Sequence, residues 1–482
     1  MYPFVFNDAL TNQFITQYFD YVTPEDFDIF EEDGQVKDYV FLQAMHKVDK
    51  SKSPGSPLIH VFPSNAGLHK ITNQLYEEVN SRILQLFKLG RYLWKLTKLG
   101  TDVRPLWGYD YNIKFSSEIA KILLQFGCTD PFYQKVKGEV RKLGKMPRLV
   151  SMYSVLDTII QRLLYNDMLY ETRKHSTPVA TQLDITTQAE TKKLYDEFKS
   201  HAPLITSDVQ GWDYSTHPHH LLVAMKVHAR VSGVIDILDQ PLPGKEKIWY
   251  LMLAQNFCQI HRVLQTEEGE LLSTYPGLTT SGKLDTFNSN SIMRAFVSVQ
   301  SEYRDANINA EFPLVGRPVE QKFSYLKCAG DDCMTTAQPD VFTYRNLGFV
   351  LTDVASQTDE FSFCSTTFGP QFSYQQNIEK FFVQQMYDRS NWSEKLAAMQ
   401  MFEHHPWYSR LVYNMYKNSP VDDELLQAYS PKFHKEMSQK PEGLRLLRQL
   451  AVLEDKRLRL TQAKPGWATD SFPKLENEEE ED

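Results

Sequence analysis

The chain has 482 residues, of which 42% are hydrophobic, 13% aromatic and 23% charged, with a net charge of −9. That is globular composition, long enough for two or more packed units, and no run of about 18 apolar residues predicts a membrane span. The first residues, "MYPFVFNDAL", lack the basic-then-apolar order of a signal peptide, and five scattered cysteines without a Cys-x-x-Cys pair argue against a disulfide scaffold or zinc knuckle and for a reducing compartment.

Acids concentrate in "PEDFDIFEED" (Pro24 to Asp33) and in the tail "LENEEEED" (Leu475 to Asp482), so the net charge does not exclude a local basic groove. Up to about Ala202 the pattern mixes helical segments with loops rich in Pro, Ser and Gly. Within it, Lys135, Lys137, Arg141, Lys142, Lys145 and Arg148 crowd around one acid, Glu139. Such a patch suits phosphates, though a solvated face has the same composition. "TKKLYDEFKSH" (Thr191 to His201) reads as a helix, and "PLITSDVQ" (Pro203 to Gln210) as a short buried strand.

That strand ends in Asp208, with Asp213 five positions on. A charge after an apolar run is costly unless compensated. A divalent cation is one compensation; a turn at the strand end is the plainer one. After "YPGLTTSG", Lys283 to Val299 reads as a helix. Gly277 and Gly282 permit a tight loop, and Thr280 or Ser281 could cap the helix. Thr286 and Asn290 share one helical face. They suit a sugar hydroxyl, or simply form a polar face.

"FSYLKCAGDDCMTTA" (Phe323 to Ala337) reads as two short strands around a turn that holds two adjacent acids, Asp331 and Asp332. "FSFCSTTF" (Phe361 to Phe368) reads as another strand pair. "THPHH" (His217, His219, His220) lacks the spacing of a known metal site and reads as surface or interdomain. From about Ser390 the pattern is helical, and the acidic tail is expected to be disordered. The fold class is α+β. If Asp208 lies beside the Asp331–Asp332 turn, three carboxylates converge. Mg²⁺ takes such oxygen ligands. Two such ions about 4 Å apart can activate a 3′-hydroxyl and stabilise a leaving pyrophosphate.

Asp-x4-Asp, then Ser-Gly-x3-Thr-x3-Asn, then Gly-Asp-Asp, in that order, resembles the palm signature of viral RNA-dependent RNA polymerases. It is matched at Asp208 and Asp213; at Ser281, Gly282, Thr286 and Asn290; and at Gly330, Asp331 and Asp332. The basic stretch resembles the family's fingers motif, with Arg148 as its principal arginine and Arg141 or Lys142 upstream. "SKSPGSPL", with Ser53, Pro54 and Gly55, resembles the template-entry loop, and "FSFCSTTF" the primer grip. The resemblance covers most of Ser51 to Phe368 and is greatest to the sobemovirus-like plus-strand viruses.

The resemblance implies a right-hand polymerase. Fingers with an N-terminal extension would occupy 1–202, and a palm 203–368 with a fingers insertion at about 215–275. A helical thumb would follow at 369–465 and a tail at 466–482. Asp208 and Asp331 would hold two Mg²⁺, with Mn²⁺ able to substitute and the Val209 carbonyl contributing, while Asp332 assists. Asp213, Ser281, Gly282, Thr286 and Asn290 would read the ribose of the incoming NTP. Arg148 with Arg141 or Lys142 would neutralise its triphosphate. An acid at position 213, where reverse transcriptases usually carry an aromatic gate, implies ribonucleotides. Implied partners are template and product RNA, NTPs, a protein primer and other viral replication proteins, in host-cell cytoplasm at replication complexes. The rivals are a reverse transcriptase and a non-catalytic replicase scaffold. One departure stands out: Tyr344 to Glu360 contains no Lys to act as general acid, and its only basic residue is Arg345.

Overall fold

The computed structural model describes residues 9–19, 27–108, 112–136, 149–175, 188–266, 268–279, 284–306, 321–378, 380, 381, 383, 399, 402, 403 and 405–417. Its first helices are α1 (Ala9–Tyr18), α2 (Asp38–His46), α3 (Thr72–Lys98) and α4 (Ile113–Gln125). In α3, Leu75, Val79, Ile83, Leu86, Gly90, Leu93 and Trp94 fall at three- and four-residue spacing on one buried stripe. Strands β1 (Phe132–Val136) and β2 (Leu149–Met152) follow, then α5 (Val155–His175) and α6 (Gln188–His201).

Next come β3 (Leu204–Val209), the single turn α7 (Trp212–Ser215), α8 (Pro218–Val231) and α9 (Glu246–Ile260). Strands β4 (Val263–Gln265) and β5 (Leu271–Ser273) lead to α10 (Thr286–Ala306). The hairpin β6 (Leu326–Ala329) and β7 (Asp332–Thr335), helix α11 (Val341–Asn346) and strand β8 (Leu351–Gln357) complete this region. Last are β9 (Phe361–Phe363), β10 (Thr366–Phe368), β11 (Ser373–Gln375) and α12 (Ser409–Lys417). The architecture is α+β.

Two units divide the chain. One takes Met1–Lys137, Met146–Leu183 and His201–Gln357; the other takes Gly138–Lys145, Asp184–Ser200 and Thr358–Asp482. In the first unit, an antiparallel sheet runs β6-β7-β3-β8, and a second sheet runs β2-β1-β4-β5 with β1 and β4 parallel. Helix α10 packs on β6 and β7 and against α8. Helices α3 and α9 meet closely at Gly90, where a Cβ would lie 1.8 Å from the Tyr250 carbonyl oxygen. In the second unit, Phe198 of α6 packs its ring against Phe361, Phe363 and Phe368, on the sheet β11-β10-β9.

Two expectations are corrected here. Helix α10 starts at Thr286, three residues later than the sequence suggests, and the cap candidates Thr280 and Ser281 lie outside the described residues. The residue just before the helix is Asp285, whose carboxylate accepts from the Ser289 hydroxyl. The histidines of "THPHH" also do something other than sit at a surface. His217 and His220 form the capping box of α8, and His220 is buried with its Nε2 3.0 Å from Gln300 Oε1. Ring nitrogens spent on backbone and glutamine partners are unavailable to a metal.

Candidate active site

Strand β3 lies in the middle of its sheet, between β7 and β8. The β3–β7 ladder ends with Ser207 opposite Cys333, so Asp208 and Asp332 are the next residues out along the two strands. The β6–β7 connection is Gly330–Asp331. Gly330 has φ +66, the conformation a tight two-residue hairpin demands at its first position. The expected strand, hairpin and neighbouring acid are therefore assembled at one sheet end.

On its other side β3 is bulged. Between Thr206↔Ala355 and Asp208↔Thr352 the register slips by one residue. The extra residue is on β8, where Val354 and Asp353 together oppose Ser207 and Asp353 is left-handed at φ 52. A bulge beside a strand end re-aims the local side chains. Asp208 is half-buried, and its carboxyl is held above the ordinary range. Burial is the main cause, followed by the Asp331 charge, with Asp353 adding to it; the Val209 N–H and Arg294 act the other way. Asp208 Oδ1 accepts from the Val209 N–H at 2.7 Å.

Of the two adjacent acids, Asp331 adds its charge to the burial that raises the Asp208 carboxyl. Among the described residues, no three Asp, Glu, His or Cys side chains lie close enough together to hold a metal ion. Asp331 occupies the turn, and Asp332 opens β7.

Helix α10 supports the turn from below. Ser291 Oγ accepts from the Gly330 N–H at 2.8 Å and donates to the Phe287 carbonyl at 2.7 Å. Arg294 Nε donates to the Asp331 carbonyl at 3.0 Å. Asn290 is buried, and among the described residues its Oδ1 has no hydrogen-bond partner. Thr286 is half-buried one turn before it. The start of the helix is tied to α5, where Gln161 Oε1 accepts from the Leu284 N–H at 3.1 Å.

Asp213 sits on α7 after the left-handed Gly211. Its carbonyl accepts from the Thr279 N–H at 3.0 Å. Thr216 Oγ1 donates to the Gly277 carbonyl at 3.0 Å and lies 2.7 Å from Thr279 Oγ1. The segment leading to the Ser-Gly motif is thereby fastened to the segment after β3. Gly277, at φ +88, is pressed so close that a Cβ would lie 2.4 Å from the Pro218 nitrogen. Ser281 and Gly282 lie outside the described residues, as do Arg141, Lys142 and Arg148.

No family model matches the chain. It is 25% identical over 281 residues to Protein P1-P2 of Pea enation mosaic virus-1 (strain WSG), covering 53% of this chain and 20% of that protein. The chain thus spans a fifth of the length of that relative. Among solved structures it is similar to the RNA-dependent RNA polymerase of a human picorbirnavirus, at 14% identity and TM-score 0.42, covering 67% of this chain and 60% of that one. An insertion-loop deletion mutant of that polymerase gives the same identity and TM-score over 64% and 61%. The Sicinivirus RNA-dependent RNA polymerase is similar at 11% identity and TM-score 0.48, over 88% of this chain and 79% of that one. These solved relatives are viral RNA polymerases.

The stretch that resembles a polymerase template-entry loop is held by backbone contacts. Ser53 Oγ accepts from the Gly55 N–H at 3.3 Å, and the Pro54 carbonyl accepts from the Val155 N–H at 2.7 Å. Gly55, at φ +69, lies so close that a Cβ would be 2.1 Å from the Tyr153 carbonyl oxygen. The stretch is therefore seated on the junction of β2 and α5.

Sequence reasoning missed Arg294, Ser291, Ser207 and Asp353. Only Arg294 left a signal: a lone cation inside the apolar run "IMRAFV".

Proposed function

We propose that the chain is a viral RNA-dependent RNA polymerase that replicates and transcribes an RNA genome by template-directed nucleotidyl transfer. One observation carries the reading. Asp208 ends a central strand directly beside the β6–β7 turn that carries Asp331 and Asp332, so acids from two strands and their turn gather at one sheet end. Oxygen-only donors gathered in this way fit a hard divalent cation, Mg²⁺ or Mn²⁺. Asp208, Asp331 and the Val209 carbonyl would hold it, with Asp332 assisting from the start of β7. When bound, the metal supplies positive charge that activates the 3′-hydroxyl and offsets charge on the pyrophosphate.

The chain's own residues then bind and orient. Asn290 Oδ1, without a partner among the described residues, is an acceptor suited to a ribose hydroxyl. Asp213, tethered through its carbonyl to Thr279, would accept from the 2′-hydroxyl alongside Thr286 and Ser281, with Gly282 shaping the loop. Arg148, with Arg141 or Lys142, would neutralise the triphosphate. Ser53, Pro54 and Gly55 would guide the template.

Fingers, palm and thumb would follow the order 1–202, 203–368 and 369–465. RNA would be held by backbone charge and base stacking. A protein primer, other viral replication proteins, a cytoplasmic replication complex and the sobemovirus-like lineage belong to the same proposal. Among the described residues no helix is long and apolar enough to cross a membrane.

Primer extension on an RNA template with Mg²⁺ tests this reading. We expect wild type to incorporate NTPs in preference to dNTPs, and Asp331→Ala to lose at least about a hundredfold in rate. No incorporation by wild type, or undiminished incorporation by the variant, would falsify the catalytic claim. Preference for dNTPs would turn the assignment to a reverse transcriptase.

A further inference from the structure

Arg294 lies inside the molecule with none of its surface exposed. A buried guanidinium ordinarily keeps a carboxylate at bonding distance, because an uncompensated buried charge is expensive. Here every hydrogen bond goes to a neutral oxygen. Nε donates to the Asp331 carbonyl at 3.0 Å, Nη1 to Ser298 Oγ at 2.9 Å and the Tyr344 hydroxyl at 3.0 Å, and Nη2 to Ser207 Oγ at 2.7 Å. Ser298 and Tyr344 are themselves 2.9 Å apart.

The location of these acceptors is the informative part. Ser207 immediately precedes Asp208 on β3. The Asp331 carbonyl belongs to the hairpin turn. Tyr344 lies on α11 and Ser298 one turn further along α10. A planar fork bonded in three directions has a single orientation, and it fixes whatever it bridges. It bridges the backbone of one acid to the neighbour of the other.

We propose that Arg294 is a positioning residue for the metal-binding pair: its guanidinium ties the Asp331 peptide to the residue before Asp208, and so sets the spacing of the two carboxylates. This rests on the polymerase reading of the site.

Two variants of the full chain separate this role from ordinary core packing. R294K keeps the buried charge and loses the fork. S207A keeps the arginine and loses its tether to β3. Mn²⁺ binding is measured by titration calorimetry without nucleic acid or NTP, well below each melting temperature. The Mg²⁺ dependence of nucleotide incorporation is measured in parallel. We expect both variants to bind Mn²⁺ about threefold to tenfold more weakly and to need correspondingly more Mg²⁺. A residue that only fills the core would lower the melting temperature and leave the metal affinity of the folded protein alone. Affinity within about twofold of the parent in both variants overturns the proposal. If R294K does not fold, S207A decides by the same criterion. A parent that binds no Mn²⁺ overturns the metal site and this inference together; a parent that binds, with unchanged variants, overturns this inference only.

Discussion

At the residue scale the site shows stability traded for function. Asp208 is partly removed from water and faces a second carboxylate. Both effects disfavour the charged, folded, metal-free protein. Asp331→Asn removes the repulsion and one ligand together. Metal-free, it should be more stable than wild type by about 1 kcal/mol, an upward shift of about 1 °C for a chain of this size. Mg²⁺ or Mn²⁺ should raise the wild-type melting temperature more than that of the variant. Scanning fluorimetry with and without metal reads both, and equal metal-induced shifts would remove Asp331 from the ligand set. The acids were legible in sequence because a carboxylate ending an apolar strand is a local anomaly. Arg294 showed only as a lone cation in an apolar run, and its role stayed hidden because its acceptors are three hydroxyls and a carbonyl from four elements that no spacing rule connects. Asp353 was hidden for a related reason: nothing local marks which residue of β8 is the extra one in a bulge.

At the element scale, what the sequence disclosed depended on how each element is buried. The hairpin β6–β7, strand β3 and helix α10 each pair a clear hydrophobic run with a turn signal. Helices α8 and α9 are buried on nearly all sides, so they lack the polar stripe that makes a helical period visible. Strands β4 and β5 are three residues each, and β4 joins β1 in parallel from more than a hundred residues away. The loop between them and α10 gives the sharpest test. Gly277 combines φ +88 with backbone contacts a Cβ would violate, at 2.4 Å from Pro218 N and 2.7 Å from His217 C. Gly277→Ala should cost about 2–4 kcal/mol from strain and displacement. It should also loosen Thr279 from the Asp213 carbonyl, and with it the discrimination of NTPs from dNTPs. Urea unfolding measures the first effect and competitive incorporation the second. A variant as stable and as selective as wild type would show that this loop positions nothing.

At the scale of the whole molecule, the net charge of −9 says little about what the interior tolerates. The first unit buries several ionisable groups with their partners, among them Lys226 and Arg230 on Asp239 at 2.7 and 2.9 Å, and Arg82 on Asp130 and Asp157 at 2.8 and 2.9 Å. Three of its histidines are different, because burial favours their neutral form. Burial lowers the pKa of His217, His220 and His261, and takes His261 to about 4. His261 stands between Ser116 Oγ, 2.8 Å from Nδ1, and the Leu106 carbonyl, so its ring joins α4 and the segment before it to the end of α9. The sign follows from proton counting. Unfolded, this histidine binds a proton near pH 6.5; folded, it does not until about pH 4. Between those values acid favours the unfolded chain, so stability should fall as pH drops through the window and level off, for this group, below it. The slope owed to one such histidine approaches about 1.4 kcal/mol per pH unit. His261→Asn should lower stability at pH 7 through lost packing, yet flatten the decline between pH 6.5 and 4.5 by up to that amount. Urea midpoints across the window measure the slope independently of the offset. An unflattened decline in the variant would mean that His261 titrates in the folded protein as it does in the unfolded one.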